Sequence, residues 1–200
     1  MRESTKAAMW TLGDDMDAAV KANTISLANN PVAAEALAGK FTFVAKPAPE
    51  AAPTVALQGA ELELYKTGAE VFKRDAHCAT CHQPNGQGLP NMYPTLIKSP
   101  WVEGDEARLI KIALKGLWGP LEVDGKRFDP TKGVPPMMGF GPLLTDKEIA
   151  GVLTYVRNTW GNKAPPVKPE AVAALREKTK DRQNFYMVDE ILKEHPFLAK

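Results

Sequence analysis

What this sequence lacks narrows its function before any motif is read. It has no surplus of one charge: 25 Lys and Arg stand against 24 Asp and Glu, a net charge of +1. Neither a broad basic surface for nucleic acid nor an acidic tail is expected. No apolar run approaches the ~18 residues that a membrane-spanning helix needs, so no span is expected in the chain. The opening stretch MRESTKAAMWTLGDDMDAAV has short apolar pieces broken by acidic residues and does not read as a secretory signal. Cysteine is scarce, with two copies in 200 residues, and histidine is hardly commoner, with three. A bridge between Cys78 and Cys81 would close almost no loop, so a disulfide framework is a poor explanation for them. A structural zinc site wants about four ligands, and His195 lies far along the chain from the cysteines.

What the sequence has in quantity is proline, 17 copies, and these cluster. The stretch VAKPAPEAAPTVALQG has no periodic apolar face and reads as an extended linker, and NKAPPVKPE marks a second break. The expected division is an Ala-rich helical extension over 1–43, an Ala/Pro linker over 44–57, a compact domain over 58–163 and a helical tail over 164–200. In the tail, Pro169 suits a first helical turn, and the charged REKTKDR stretch reads as a solvated helix face.

The compact domain is expected to be mainly α. AELELYKTGAEVFK places Leu64, Gly68, Val71 and Phe72 near one stripe. A second helix should start at Asp105 as its cap, turn Leu109, Ile112 and Ala113 inward, and stop at Gly116. A third should open with a capping box, Thr145 and Glu148, bury Ile149, Val152, Leu153 and Val156, and end at Gly161. Asp124-Gly125 between short alternating stretches predicts a small β-hairpin. Three helices and two long loops are little regular structure for a domain of this length. Such a domain usually needs a staple, a metal or a cofactor to complete its core.

The segment DAHCATCHQPNGQG supplies a candidate. Cys78, Cys81 and His82 form Cys-x-x-Cys-His, the attachment motif of c-type haem. One helical turn brings two thiols to one edge of the porphyrin, where they add across its two vinyl groups. The next side chain can then offer its imidazole to the iron. A thioredoxin-like redox pair would follow a strand in a βαβ context, and none is visible. A low-spin electron-transfer haem needs a ligand on its other face, and methionine sulfur is the usual partner of histidine. The Pro/Gly-rich loop GVPPMMGFG offers both Met137 and Met138.

On these residues the domain resembles a class I cytochrome c, over roughly half the chain. Helix, Cys-x-x-Cys-His, Gly-rich loop, helix, methionine loop and final helix follow in that order. The LLTDKEIAGVLTYVRNTWGN and GPLEVDGKRFDP segments are similar to haem domains associated with bacterial quinoprotein dehydrogenases and membrane redox complexes. The resemblance implies one covalent haem c and its iron, with His82 as proximal ligand. It implies Met137 as distal ligand, because Phe140 and Leu144 follow at the family spacing, with Met138 as the alternative. The family's usual proline directly after the ligand is replaced here by Met138. Pro94 would accept the imidazole N–H, and Gly68 and Phe72 would pack against Tyr155 where the first and last helices cross. Tyr93, Trp101 and Trp118 are candidates for the haem pocket, though plain core positions fit them equally, and His77 is expected at the surface.

The implied function is single-electron transfer in a respiratory or dehydrogenase chain, without catalysis by the domain itself. Its partners would be redox proteins: a quinoprotein dehydrogenase, an oxidase or another membrane redox complex. The implied location is periplasmic or otherwise extracytoplasmic. A haem enzyme or gas sensor with an open iron position is one alternative, and a structural assembly subunit is another. The two flanks are expected to dock the cytochrome to its partner and to be dispensable for the haem pocket.

Overall fold

A computed structural model describes residues 52–197. The expected N-terminal extension, 1–43, and all but the last residues of the expected linker lie outside the described residues.

Helix α1, Gly59–Lys73, crosses the last helix of the expected order, α5, Asp146–Arg157. The crossing is close because two glycines meet there. A Cβ on Gly68 would lie 1.9 Å from the Gly151 carbonyl oxygen. Gly151 is thus the residue that Gly68 meets most closely. Phe72 does meet Tyr155, with ring centroids 5.3 Å apart, and Tyr65 and Trp160 complete the aromatic cluster at 5.1 and 5.5 Å from the same tyrosine. Burial of such rings is among the largest contributions a small core can gather.

The capping box is present at the start of α5: Glu148 N–H donates to the Thr145 hydroxyl, and Thr145 N–H donates to the Glu148 carboxylate. The helix stops at Arg157, short of Gly161. The Asn158 amide and the Thr159 hydroxyl donate to the carbonyls of Thr154 and Tyr155. Such side chains satisfy the last helical carbonyls and end the helix early.

Between these helices lie α2, Cys78–His82, the short α3, Pro100–Glu103, and α4, Glu106–Lys115. Asp105 caps α4, with its carboxylate 2.7 Å from the Arg108 N–H, and Gly116 ends it at φ +85°. Strands β2, Leu121–Val123, and β3, Lys126–Phe128, form an antiparallel hairpin around Asp124-Gly125, both at positive φ.

A second, unexpected sheet joins three short strands. β1, Gly116–Trp118, pairs antiparallel with β4, Met137–Met138, and parallel with β5, Tyr186–Met187. The tail forms α6, Pro169–Lys178, then β5, then α7, Val188–Glu194. It supplies fully buried Val172 to the core around α1 and α5, and Tyr186, Val188 and Ile191 to a second core shared with Trp101, Leu117 and Phe128. These contacts argue against the expectation that 166–200 is dispensable for the haem pocket. The solvated face expected for REKTKDR is corrected in part: Glu177, Lys178, Lys180 and Asp181 are exposed, whereas Arg176 and Arg182 are half-buried and bonded.

Candidate functional site

The two cores leave between them a cavity of about 480 Å³. All the residues expected at the haem site line it. Cys78, Cys81, His82, Tyr93 and Pro94 come from one segment, and Trp101, Trp118, Met137 and Met138 come from elsewhere. The rest of the lining is largely apolar and includes the predicted α5 face of Ile149, Val152, Leu153 and Val156.

The short helix α2 sets the first wall. Its five residues are the motif itself, so both thiols and the imidazole sit within one turn or so of chain. His82 is buried, and its Nδ1–H donates to the Pro94 carbonyl at 2.9 Å. That hydrogen bond fixes the tautomer and leaves Nε2 with the free lone pair. Burial also holds the imidazole below its ordinary pKa, so it stays neutral and able to bind a metal. Both cysteines are free. Burial pushes the Cys78 thiol up to about 11, so it rests as the thiol and not the thiolate. A hydrogen bond with Cys81 raises the Tyr93 phenol above its usual value.

A second wall is the methionine loop. Strand pairing puts Met137 beside Leu117 and Met138 beside Gly116. Successive side chains of a strand point to opposite faces. Met137 is half-buried against the second core, whereas Met138 is 58% exposed.

Trp101 lines the cavity and is also a core residue: its indole N–H donates to the Glu122 carbonyl at 3.2 Å, and the Arg108 guanidinium lies 5.4 Å from its ring. His77 is not a free surface side chain. It is half-buried, lines the cavity, and its ring lies 5.4 Å from Phe140, so it bridges the two walls. No periodicity or motif marks that contact in the sequence. The sequence reading also passed over Arg176 of α6, which donates to the carbonyls of Gly141 and Leu144 beyond the methionines.

Among the described residues, no three His, Cys, Asp or Glu side chains gather to hold a metal ion by themselves. The donor set is two thiols and a neutral imidazole on one wall and a thioether on the other, around an apolar space. That set fits an iron porphyrin, which brings four of its own ligands, and not a structural zinc site.

Comparison with known proteins agrees with the donor set. The cytochrome c family profile matches residues 65–160. Cytochrome c-552 of Thermus thermophilus is 39% identical over 120 residues, covering 56% of this chain and 85% of that protein. The cytochrome c subunit of a quinone alcohol dehydrogenase from Gluconobacter oxydans is 34% identical over 103 residues, 49% of this chain and 19% of that subunit. The gluconate 2-dehydrogenase cytochrome c subunit of Pantoea cypripedii is 36% identical over 115 residues, 56% of this chain and 24% of that subunit.

Proposed function

We propose, from the premise that this chain belongs to the cytochrome c family, that it is a one-electron carrier with class I architecture whose haem is attached at Cys78 and Cys81 and ligated by His82 and Met137. The observation that carries this reading is one apolar cavity lined by a tautomer-fixed neutral imidazole, by the two thiols next to it in the chain, and by a half-buried thioether from a distant segment.

When bound, the haem supplies an iron that accepts and releases a single electron. The chain does the rest. Cys78 and Cys81 would hold the group covalently, so that it would not be lost. Pro94 keeps the His82 ring in one orientation, and such supporting hydrogen bonds tune a metal ligand. The apolar lining excludes water from the cavity. Met137 would hold the iron through its thioether, which would leave a substrate no open position there.

The names of the dehydrogenase relatives support a redox-protein partner such as a quinone-linked dehydrogenase; another membrane redox complex and an extracytoplasmic setting belong to the same proposal. No helix among the described residues is long and apolar enough to cross a membrane. Contact with such an assembly would go through a protein partner.

Acidified acetone tests the attachment: the colour should stay with the polypeptide and pass to the solvent in a Cys78→Ala/Cys81→Ala double variant. Carbon monoxide tests the role. The reduced protein should resist it at neutral pH. Rapid binding would favour the enzyme or sensor alternative.

A further inference from the structure

The methionine loop has little structure of its own. Past β4, the chain from Gly139 to Thr145 is irregular. On its inner side it is pinned to the end of α4: Phe140 N–H donates to the Ala113 carbonyl at 2.8 Å, and Gly141 N–H to the Leu114 carbonyl at 3.0 Å. The fit is tight, since a Cβ on Gly139 would lie 2.6 Å from Lys115 backbone and one on Gly141 2.7 Å from the Leu114 oxygen.

On the outer side the only cation reaching these backbone carbonyls, among the described residues' hydrogen bonds, is Arg176. It donates through Nη1 to the Gly141 carbonyl, through Nη2 to the Leu144 carbonyl at 2.8 Å, and through Nε to Asp146 at 2.7 Å. All three contacts fall within Gly141–Asp146. A rigid guanidinium fork that engages two carbonyls and a carboxylate fixes their spacing in a way a lysine point charge cannot. Arg176 lies beyond the residues that the family profile matches.

We propose that Arg176 is a positioning residue: from the C-terminal segment it clamps the loop that carries Met137, and so sets the fraction of molecules in which the thioether is held in the cavity. This rests on the reading of Met137 as the sixth ligand.

The loop is in equilibrium between a closed form, with the sulfur in place, and an open one. An added ligand that competes with the sulfur binds only the open form, so its apparent affinity rises in proportion to the open fraction. Imidazole added to the ferric holoprotein reads this directly. Loss of a charge-assisted hydrogen bond at a site one-third exposed should raise the open fraction about tenfold in Arg176→Gln. Arg176→Lys, which keeps the charge but not the fork, should give about threefold. Asp146→Asn removes the ion pair and spares both carbonyl contacts, so it should change imidazole affinity less than about twofold even if it lowers the melting temperature. The weak near-infrared sulfur-to-iron band should melt at lower temperature in Arg176→Gln than in Asp146→Asn.

An Arg176→Gln protein that melts earlier yet binds imidazole as the parent does would make Arg176 a mere staple and overturn the proposal. Equal tightening in Asp146→Asn and Arg176→Gln would do the same. If Arg176→Gln yields no holoprotein, Arg176→Lys decides between the same outcomes. Met137→Ala separates the premise from the proposal: if it keeps the band, the sixth ligand is another residue and both fall. If it loses the band while Arg176→Gln binds imidazole normally, only the clamp falls.

Discussion

The two walls of the cavity are built in different ways. The histidine wall is held largely by its own segment. His82 bonds to Pro94, the Gly88 N–H donates to the His82 carbonyl, and the Leu96 N–H to the Gly86 carbonyl, all inside residues 82–96. The methionine wall is held by distant chain: Ala113 and Leu114 on one side, Arg176 on the other, and Tyr186 through β1. The first wall can take shape as soon as its segment closes a short loop. The second exists only after α4 and the tail have packed. Its ligand should accordingly be the easier of the two to displace.

The largest test removes each proposed ligand in turn. His82→Ala should leave no low-spin spectrum and little haem-loaded protein, because the wall that carries the attachment also loses its buried anchor. Met137→Ala should retain the covalent haem, lose the near-infrared band and lower the reduction potential, and Met138→Ala should keep the band. Absorption spectra and a redox titration distinguish these. Retention of the band in Met137→Ala with its loss in Met138→Ala would shift the loop's register by one residue.

A finer test strains one wall at a time. Gly116, at φ +85°, has no room for a side chain: a Cβ would lie 2.4 Å from the Met137 oxygen and 2.6 Å from the Phe185 ring. Gly86, at φ +71°, would press a Cβ to 2.6 Å from the Trp160 ring. Each change to Ala should cost about 1–3 kcal/mol in urea unfolding, from the left-handed backbone and from overpacking. Only Gly116→Ala should also weaken the near-infrared band. A band lost equally in both would mean that the walls are not independent.

The smallest effect is expected where the walls are tied together. Arg74 lies just before the Cys-x-x-Cys-His segment and Glu148 just after the methionine loop, and their side chains pair at 2.7 Å. The Thr145 backbone N–H and the Arg74 guanidinium hold the Glu148 carboxyl down to about 2 from an ordinary 4.5. The folded state thus favours the carboxylate, so this stabilisation is complete above pH 4.5 and fades as the pH falls toward 2. Glu148→Gln should cost about 1 kcal/mol at neutral pH, a typical cap value for so exposed a pair. The gap between the two proteins should close with acid in urea titrations, and imidazole affinity should not change. A gap that persists at the acid end would show that the charge is not what matters.

The sequence by itself determined the attachment segment, the capping box at Thr145, the Asp105 and Gly116 limits of α4, the Asp124-Gly125 hairpin and the pair of candidate methionines. Each is written in adjacent residues or in a helical period, because the hydrogen bonds and faces involved are local. Tertiary structure alone decided the rest. It placed Met137 half-buried and Met138 exposed, laid His77 against Phe140, and drew Tyr186 to β1 and Arg176 to the methionine loop. Strands of two or three residues are too short to show a period. A guanidinium that binds backbone carbonyls 32 and 35 residues away leaves no motif, since every residue carries a carbonyl and only the packed chain selects which ones it meets.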